Sequence, residues 1–350
     1  MNLLVTIIII VIGLLISAGS NAPGRRLYFV VVAALLVIGQ ITFRDISYDI
    51  DSSNDTIRYF YGFKEVQSIS FTEIFSKFVK QDRDYNDRDP GYTLLVKTFQ
   101  LISTNFVLFL FLISTIIIVP ISKLIYRYCN NVMGIALSYV VLEFFFEGFF
   151  ETGLRQTIAL GIVLSGYPLL LNNKIWKYVI IVIMASTIHT SALIILPIIV
   201  VKYVRKIKPL LVFSILIIPV LMISADSIVT MIGKGSIYEN YLINSSDNLG
   251  TPVYSSFVII LTFAFFYLYK YFKKKVSDYK ILSATLIGSL VLMPLSWIDS
   301  NLLRLSFYYS LFYVPLIPII FKLISLKFQI SYNAICFCAM IFLVVMMSLR

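Results

Sequence analysis

Ser186-Thr-Ile-His-Thr-Ser-Ala-Leu193 lies inside an apolar stretch running from 175 to 201, and its reading decides how the whole chain crosses a membrane. It contains His189, the only histidine of the 350 residues. Read as one helix, 175-201 is a single span. Read as broken at His189, it is two short spans meeting at a polar turn. Every loop after the break changes sides between these two readings, so basic residues can arbitrate, because they gather on the inner side of a membrane.

Apolar runs occupy about 3-19, 27-43, 105-122, 132-148, 154-171, 175-188, 190-201, 209-225, 253-269, 281-297, 305-321 and 332-348. With a break at His189 both termini lie outside. The inner loops then collect Arg25 and Arg26; Lys123 and Arg127; Lys174 and Lys177; Lys202, Arg205, Lys206 and Lys208; Lys270, Lys273, Lys274, Lys275 and Lys280; Lys322 and Lys327. These are 17 of the 29 basic residues, against one acidic residue, Asp278. An unbroken 175-201 would send 11 of those 17 outward. The expectation is therefore an all-α, polytopic membrane protein of about 12 spans, or 11 if the stretch is unbroken.

Composition leads to the same class. The chain is 59% hydrophobic and 13% charged, with a mean hydropathy of +0.91. A soluble domain cannot bury that much apolar surface. The net charge of +11 sits in the inner loops, which argues against a nucleic-acid partner. One integral-membrane domain over 1-350 is expected, with the outer loop 44-104 inside it. Met1 to Ala22 has the small residues of a cleavage site, Ser17-Ala-Gly-Ser20, but no basic n-region, and Arg25-Arg26 follow the apolar run. An uncleaved first span with an outside N-terminus is expected. Cys129, Cys336 and Cys338 form neither a disulfide framework nor a metal pair, since positions i and i+2 point to different sides of a helix. No cofactor or metal motif is signalled.

The outer loop carries ten acidic and eight basic residues. Within it Phe71, Ile74, Phe75, Phe78 and Val79 follow the i, i+3, i+4, i+7, i+8 spacing of an amphipathic helix. Ser70 and Glu73 have capping-box spacing at its start. Such a helix is expected to lie flat at the interface with its aromatic face in lipid. Asp89-Pro90 predicts a second helix start, with Asp89 as cap and proline at the first helical position.

Polar residues at membrane depth carry the functional signal. Glu143, Glu147, Glu151 and Arg155 are spaced by four, along one face if the helix is continuous. Arg155 then either neutralises Glu151 or, at the start of a span, binds an anionic group. His189 is either a packing residue or, turned to the same outer side as Arg155, a proton acceptor. Arg304, in Asp299-Ser-Asn-Leu-Leu-Arg304, is an interfacial anchor or a substrate ligand, with Tyr308 one turn on. The outer loop adds Asp55 and Tyr59, then Arg88 and Tyr92. Asp82, Asp84 and Asp87 read as solvated charges.

Four segments together form a pattern: Asn54-Asp55 with Tyr59; Asp89-Pro-Gly-Tyr-Thr-Leu-Leu95; Gly153-Leu-Arg-Gln-Thr-Ile-Ala159; and Ile188-His-Thr-Ser-Ala-Leu193. In order and spacing, over roughly 45 to 310, they resemble the EpsG family of multi-pass proteins of bacterial exopolysaccharide and O-antigen assembly, often assigned as Wzy-type polymerases. The chain departs in having Ser53-Asn54 before the aspartate and Glu151-Thr152 before the Gly-Leu-Arg-Gln core. The resemblance implies an inner-membrane, GT-C-like glycosyltransferase joining undecaprenyl-pyrophosphate-linked repeat units at the outer face. It also implies a lipopolysaccharide or exopolysaccharide context and a chain-length regulator as partner. On that reading Arg155 and Arg304 stabilise the leaving pyrophosphate, His189 or Asp55 takes the acceptor proton, and Gln156, Arg88, Tyr59, Tyr92 and Tyr308 hold substrate. Two rivals stay open: a membrane O-acyltransferase using His189, and a non-enzymatic lipid-linked glycan flippase or exporter.

Overall fold

The structure is a computed structural model that describes residues 2–18, 23–44, 55–79, 89–233, 250–297 and 300–349. Every described element is helical. Among the described residues seven helices are long and apolar enough to cross a membrane, and a bent pair makes up to eight. Four shorter apolar helices, Leu3–Ser17, Ile175–Ile188, Thr190–Tyr203 and Tyr332–Ser348, account for the remaining apolar runs. Length and composition thus support seven or eight crossings. The count of twelve continues to rest on the charge argument.

The helix does break at His189. Its backbone is extended, at φ −155° and ψ 114°, and its N–H closes the preceding helix on Ala185. A short 3-10 segment, Thr190–Ile195, follows. The run expected as one span at 305-321 is also broken, between Leu302–Ser310 and Tyr313–Phe328, by 53°. Pro315 supplies the reason: it has no N–H for the carbonyl of Leu311 and its ring crowds that carbonyl.

The chain forms two compact units, residues 1–193 with 330–350, and residues 194–329. The first holds α1 (Asn2–Ser17), α2 (Pro23–Thr42), α3 (Asp55–Glu65), α4 (Phe71–Val79), α5 (Pro90–Gln100), α6 (Phe106–Tyr128), α7 (Val132–Thr152), α8 (Leu154–Ser165), α9 (Tyr167–Leu171) and α10 (Ile175–Ile188). The C-terminal helix Tyr332–Ser348 also packs on α7. Helix α7 is apolar on nearly every face, and most of it is buried among α1, α2 and that C-terminal helix. Asparagines start two of the long helices. Asn105 Oδ1 accepts from Val107 N (2.8 Å) and Leu108 N (3.3 Å), and Asn131 Oδ1 accepts from Met133 N (2.7 Å).

The amphipathic helix of the outer loop is α4, and Ser70 Oγ accepts from Glu73 N at 3.2 Å at its start. Its faces are shared differently from the expectation. Ile74 is fully buried and α4 packs on α5, while Phe75 points outward, so only part of the apolar stripe is left for lipid.

In the second unit, Tyr279–Leu292 is the buried centre, packed by helices Ile207–Gly233, Pro197–Tyr203, Gly250–Lys275 and Ser300–Ser310. Tyr254 donates to Ser306 Oγ (2.7 Å) and Tyr309 to the carbonyl of Ile194 (2.7 Å), which ties the ends of these helices together.

Candidate active site

At one end of the first unit, aromatic and aliphatic side chains of α3, α5, α6, α8 and α10 merge into one apolar cluster. Phe63, Tyr92, Val96, Phe109, Leu154 and Ile188 are members. Polar groups borne by these same helices are held in place by that packing. Three of them converge. Asp89, at the start of α5, accepts a charge-assisted hydrogen bond from Arg155 Nη1 at 2.9 Å. His189 Nδ1 stands 3.8 Å from the same carboxylate oxygen. That is an electrostatic contact rather than a hydrogen bond.

Arg155 and His189 arrive by local breaks in helix, and Asp89 at a helix start. Helix α7 ends at Gly153 (φ −98°, ψ 51°) and α8 begins at Leu154, so Arg155 leaves the row of glutamates that a continuous helix would have given it. Arg155 is therefore not the partner that neutralises Glu151. The glutamate row turns inward instead, where Gln40 Nε2 donates to Glu143 Oε2 (2.7 Å) and Glu147 Oε1 (3.1 Å). Helix α10 ends at Ile188 and presents His189. Helix α5 starts at Pro90, as its proline predicts, but Asp89 does not cap it with its side chain. Only its carbonyl holds the first turn, accepting from Tyr92 N at 3.0 Å, and the carboxylate is turned to Arg155.

Close approach of α5 to α10 makes this possible. A Cβ on Gly91 would run into Thr187, 2.7 Å from its carbonyl carbon and oxygen. Glycine lets the two backbones touch, which brings Asp89 beside His189, two residues past Thr187.

Asp89 is only 3% exposed, and the side chains of Arg155 and His189 are 20% and 17% exposed. Burial works to raise the Asp89 carboxyl, but His189 and Arg155 more than reverse it and hold the group below the usual 3.8. The Arg155 guanidinium lies over the rings of Tyr92 (5.0 Å) and Tyr59 (5.9 Å). Those rings meet edge to face at 6.0 Å. Burial pushes the Tyr92 phenol well above its ordinary value, so its hydroxyl stays a neutral donor. Tyr92 Oη, Arg155 Nε and His189 Nδ1 are buried and make no hydrogen bond to the described residues. The trio thus retains donor capacity after the Asp89–Arg155 bond is made.

Of the residues expected at a site, the structure brings together Arg155, His189, Tyr59 and Tyr92. Gln156 is buried on α8 next to Arg155. Asp55 opens α3, one turn before Tyr59, half-exposed and 3.7 Å from Arg58. Arg88 lies outside the described residues. Arg304 and Tyr308 lie on Ser300–Ser310 in the second unit, Arg304 half-buried and Tyr308 fully buried. The residue that sequence reasoning missed is Asp89. Its Asp-Pro pair is a helix-start signal, and that signal conceals a carboxylate whose partners are 66 and 100 residues away in the chain.

The EpsG family model matches residues 27–350, nearly the whole chain. Searches of curated proteins and of solved structures gave no match. All-helical architecture, several membrane-capable helices and this near-complete match lead to one conclusion: the chain is a multi-pass membrane protein that belongs to the EpsG family.

Proposed function

We propose that this protein is a polysaccharide polymerase, a membrane glycosyltransferase that joins undecaprenyl-pyrophosphate-linked repeat units at the outer face of the inner membrane. The observation that carries the reading is the Asp89–Arg155–His189 trio, backed by two tyrosines. It pairs a fixed cation with a proton acceptor oriented by a carboxylate, which are the two functions glycosyl transfer from a pyrophosphate needs.

In the proposed step an acceptor hydroxyl attacks the anomeric carbon of the donor sugar. The new C–O bond forms as the bond from that carbon to the pyrophosphate oxygen breaks, and the pyrophosphate leaves with the electron pair. His189 takes the hydroxyl proton through its imidazole nitrogen remote from Asp89. Asp89, beside Nδ1, orients the ring and stabilises the imidazolium that forms. Arg155 commits Nη1 to Asp89 and offers its remaining donors to the growing charge on the leaving group. Tyr59 and Tyr92 hold that guanidinium in place, and the partly exposed Tyr59 gives a sugar ring a stacking surface. Asp55, a turn from Tyr59, is the alternative base. Arg304 and Tyr308 are proposed as further substrate ligands on their own unit.

The test is glycan chain length in a polymerase-deficient derivative of the native host. It is complemented with the native chain or with Arg155→Ala at matched membrane levels. A ladder with the native chain that collapses to single repeat units with Arg155→Ala supports the reading. Absence of a ladder with the native chain overturns it. Acyl-donor consumption at unchanged glycan length would move the assignment to an O-acyltransferase.

A further inference from the structure

Helix α8, which carries Arg155 at its start, builds a second feature at its far end, where the middle of α10 faces it. With α6 and α9 the two enclose a cleft of ≈ 480 Å³, within the range of small-ligand sites. Its walls are apolar side chains such as Ile116, Val119, Ile181 and Met184. At its mouth stand Lys123 and Arg127.

The cleft follows from the sequence of its walls. At Gly161, α8 presses against α6 so closely that a Cβ would meet the carbonyl and, at 2.7 Å, the side chain of Ile116. One turn further along α6, Pro120 has no N–H for that Ile116 carbonyl. Opposite it, α8 gives way at Gly166 to the short helix α9. Past the Gly161 contact the walls therefore do not refill the space between them. A hydrogen bond between Tyr128 and Tyr167 hydroxyls (2.6 Å) ties the far end of α6 to α9.

Charge sets the identity of the occupant. Lys123 and Arg127 are one helical turn apart and exposed. Arg26 joins this end of the unit by donating to the Cys129 carbonyl (3.3 Å) and to Asn130 Oδ1 (3.0 Å). Lys174 and Lys177 begin α10 beside it, and no acidic residue occurs in 123–131 or 166–177. A soluble anion would not use the apolar slot, and an inserted peptide would leave backbone groups unsatisfied in lipid. A neutral lipid would make no use of two cations.

We propose that this cleft is a seat for an anionic phospholipid, with an acyl chain between α6 and α10 and its phosphate at Lys123 and Arg127. The lipid-linked substrate of the polymerase reading places its pyrophosphate at Arg155, at the opposite end of α8 from the residues that line the cleft, which separates the two head groups.

The experiment uses the full chain purified in detergent, with native mass spectrometry and thermal unfolding as readouts. The added lipids are phosphatidylglycerol, phosphatidylcholine and undecaprenyl phosphate. Phosphatidylglycerol is expected to be retained as a one-to-one adduct and to raise the unfolding midpoint, with phosphatidylcholine doing neither. The double variant Lys123→Gln with Arg127→Gln should weaken the adduct by about thirtyfold, the scale of losing two cations that face an anionic headgroup. Ser165→Phe, which fills the slot and keeps both charges, should abolish it. Both variants change exposed positions. Equal retention by the variants and the native chain, or equal effects of the two phospholipids, overturns the proposal. Preference for undecaprenyl phosphate assigns the cleft to the carrier instead and also overturns it. None of these readouts depends on polymerisation.

Discussion

The two ends of the first unit use the same residue types in opposite ways. At the Gly153 end Arg155 is largely buried and bonded at 2.9 Å to a carboxylate that is 3% exposed, with His189 beside both. At the Tyr128 end Lys123, Arg127, Lys174 and Lys177 are exposed, and the segments 123–131 and 166–177 that carry them hold no acid. A buried cation needs a partner because desolvation costs several kcal/mol, on the order of what the pair recovers. An exposed cation near lipid headgroups does not. The difference teaches that exposed charge here is left to solvent and headgroup contact, whereas the charge that is internal is balanced within the fold, which is where the proposed chemistry is placed.

Predictions that break or sharpen this contrast differ widely in size. Arg155→Ala should cost about 10²–10³ in polymerisation rate, by analogy with other preorganised donors, whereas Arg127→Ala should change it by no more than about twofold. Rates measured on equal amounts of membrane protein decide this, and similar losses in both variants would dissolve the contrast. His189→Ala should lose about 10²–10⁴, the usual contribution of a positioned base. If Asp55→Asn shows the larger loss, Asp55 is the base.

Asp89→Asn tests the pair through stability as well as rate. Removing one partner of a buried ion pair costs about 3–5 kcal/mol, and unfolding midpoints in detergent read that loss. Its pH dependence has a defined sign. The Asp89 carboxyl is held below 3.8 in the folded protein. Its contribution is therefore complete above the unfolded-state value and fades as pH falls through the lower folded value. The gap between native and Asp89→Asn midpoints should stay constant from neutral pH to about 5 and shrink only below about 4. A gap that closes near pH 6 would mean the pair does not hold the carboxylate ionised. Gly91→Ala should follow with about 1–3 kcal/mol of overpacking against Thr187, and with a fall in activity that the stability loss alone does not explain. A thermally silent Gly91→Ala would remove the close α5–α10 contact from the account of the site. The smallest effect belongs to Lys174→Gln, expected within about 0.5 kcal/mol as an exposed surface change.

Much of this was legible in the chain. The break at His189 followed from counting basic residues on either side of it, because charge bias fixes orientation whatever the packing. The helix starts at Phe71 and Pro90 followed from local capping chemistry. That Arg155 and His189 need polar company was legible too, because ionisable groups in apolar sequence are costly wherever they lie, and both meet Asp89. Local chemistry misled at Asp89, where the same Asp-Pro signal fits a cap and a buried ion-pair partner equally well. It also misled at 305–321, where an apolar run concealed the bend at Pro315.

The sequence by itself determined the class of molecule and the places where helices must stop. These depend on hydropathy, charge and residues such as glycine and proline, whose effects act over a few neighbours. Only the tertiary structure decided which polar groups meet. Asp89 reaches Arg155 and His189 because Gly91 lets α5 lie against Thr187 of α10, and because Gly153 turns Arg155 out of line with Glu143 and Glu147. Such meetings are set by how whole helices pack, and no pattern within a single helix encodes them.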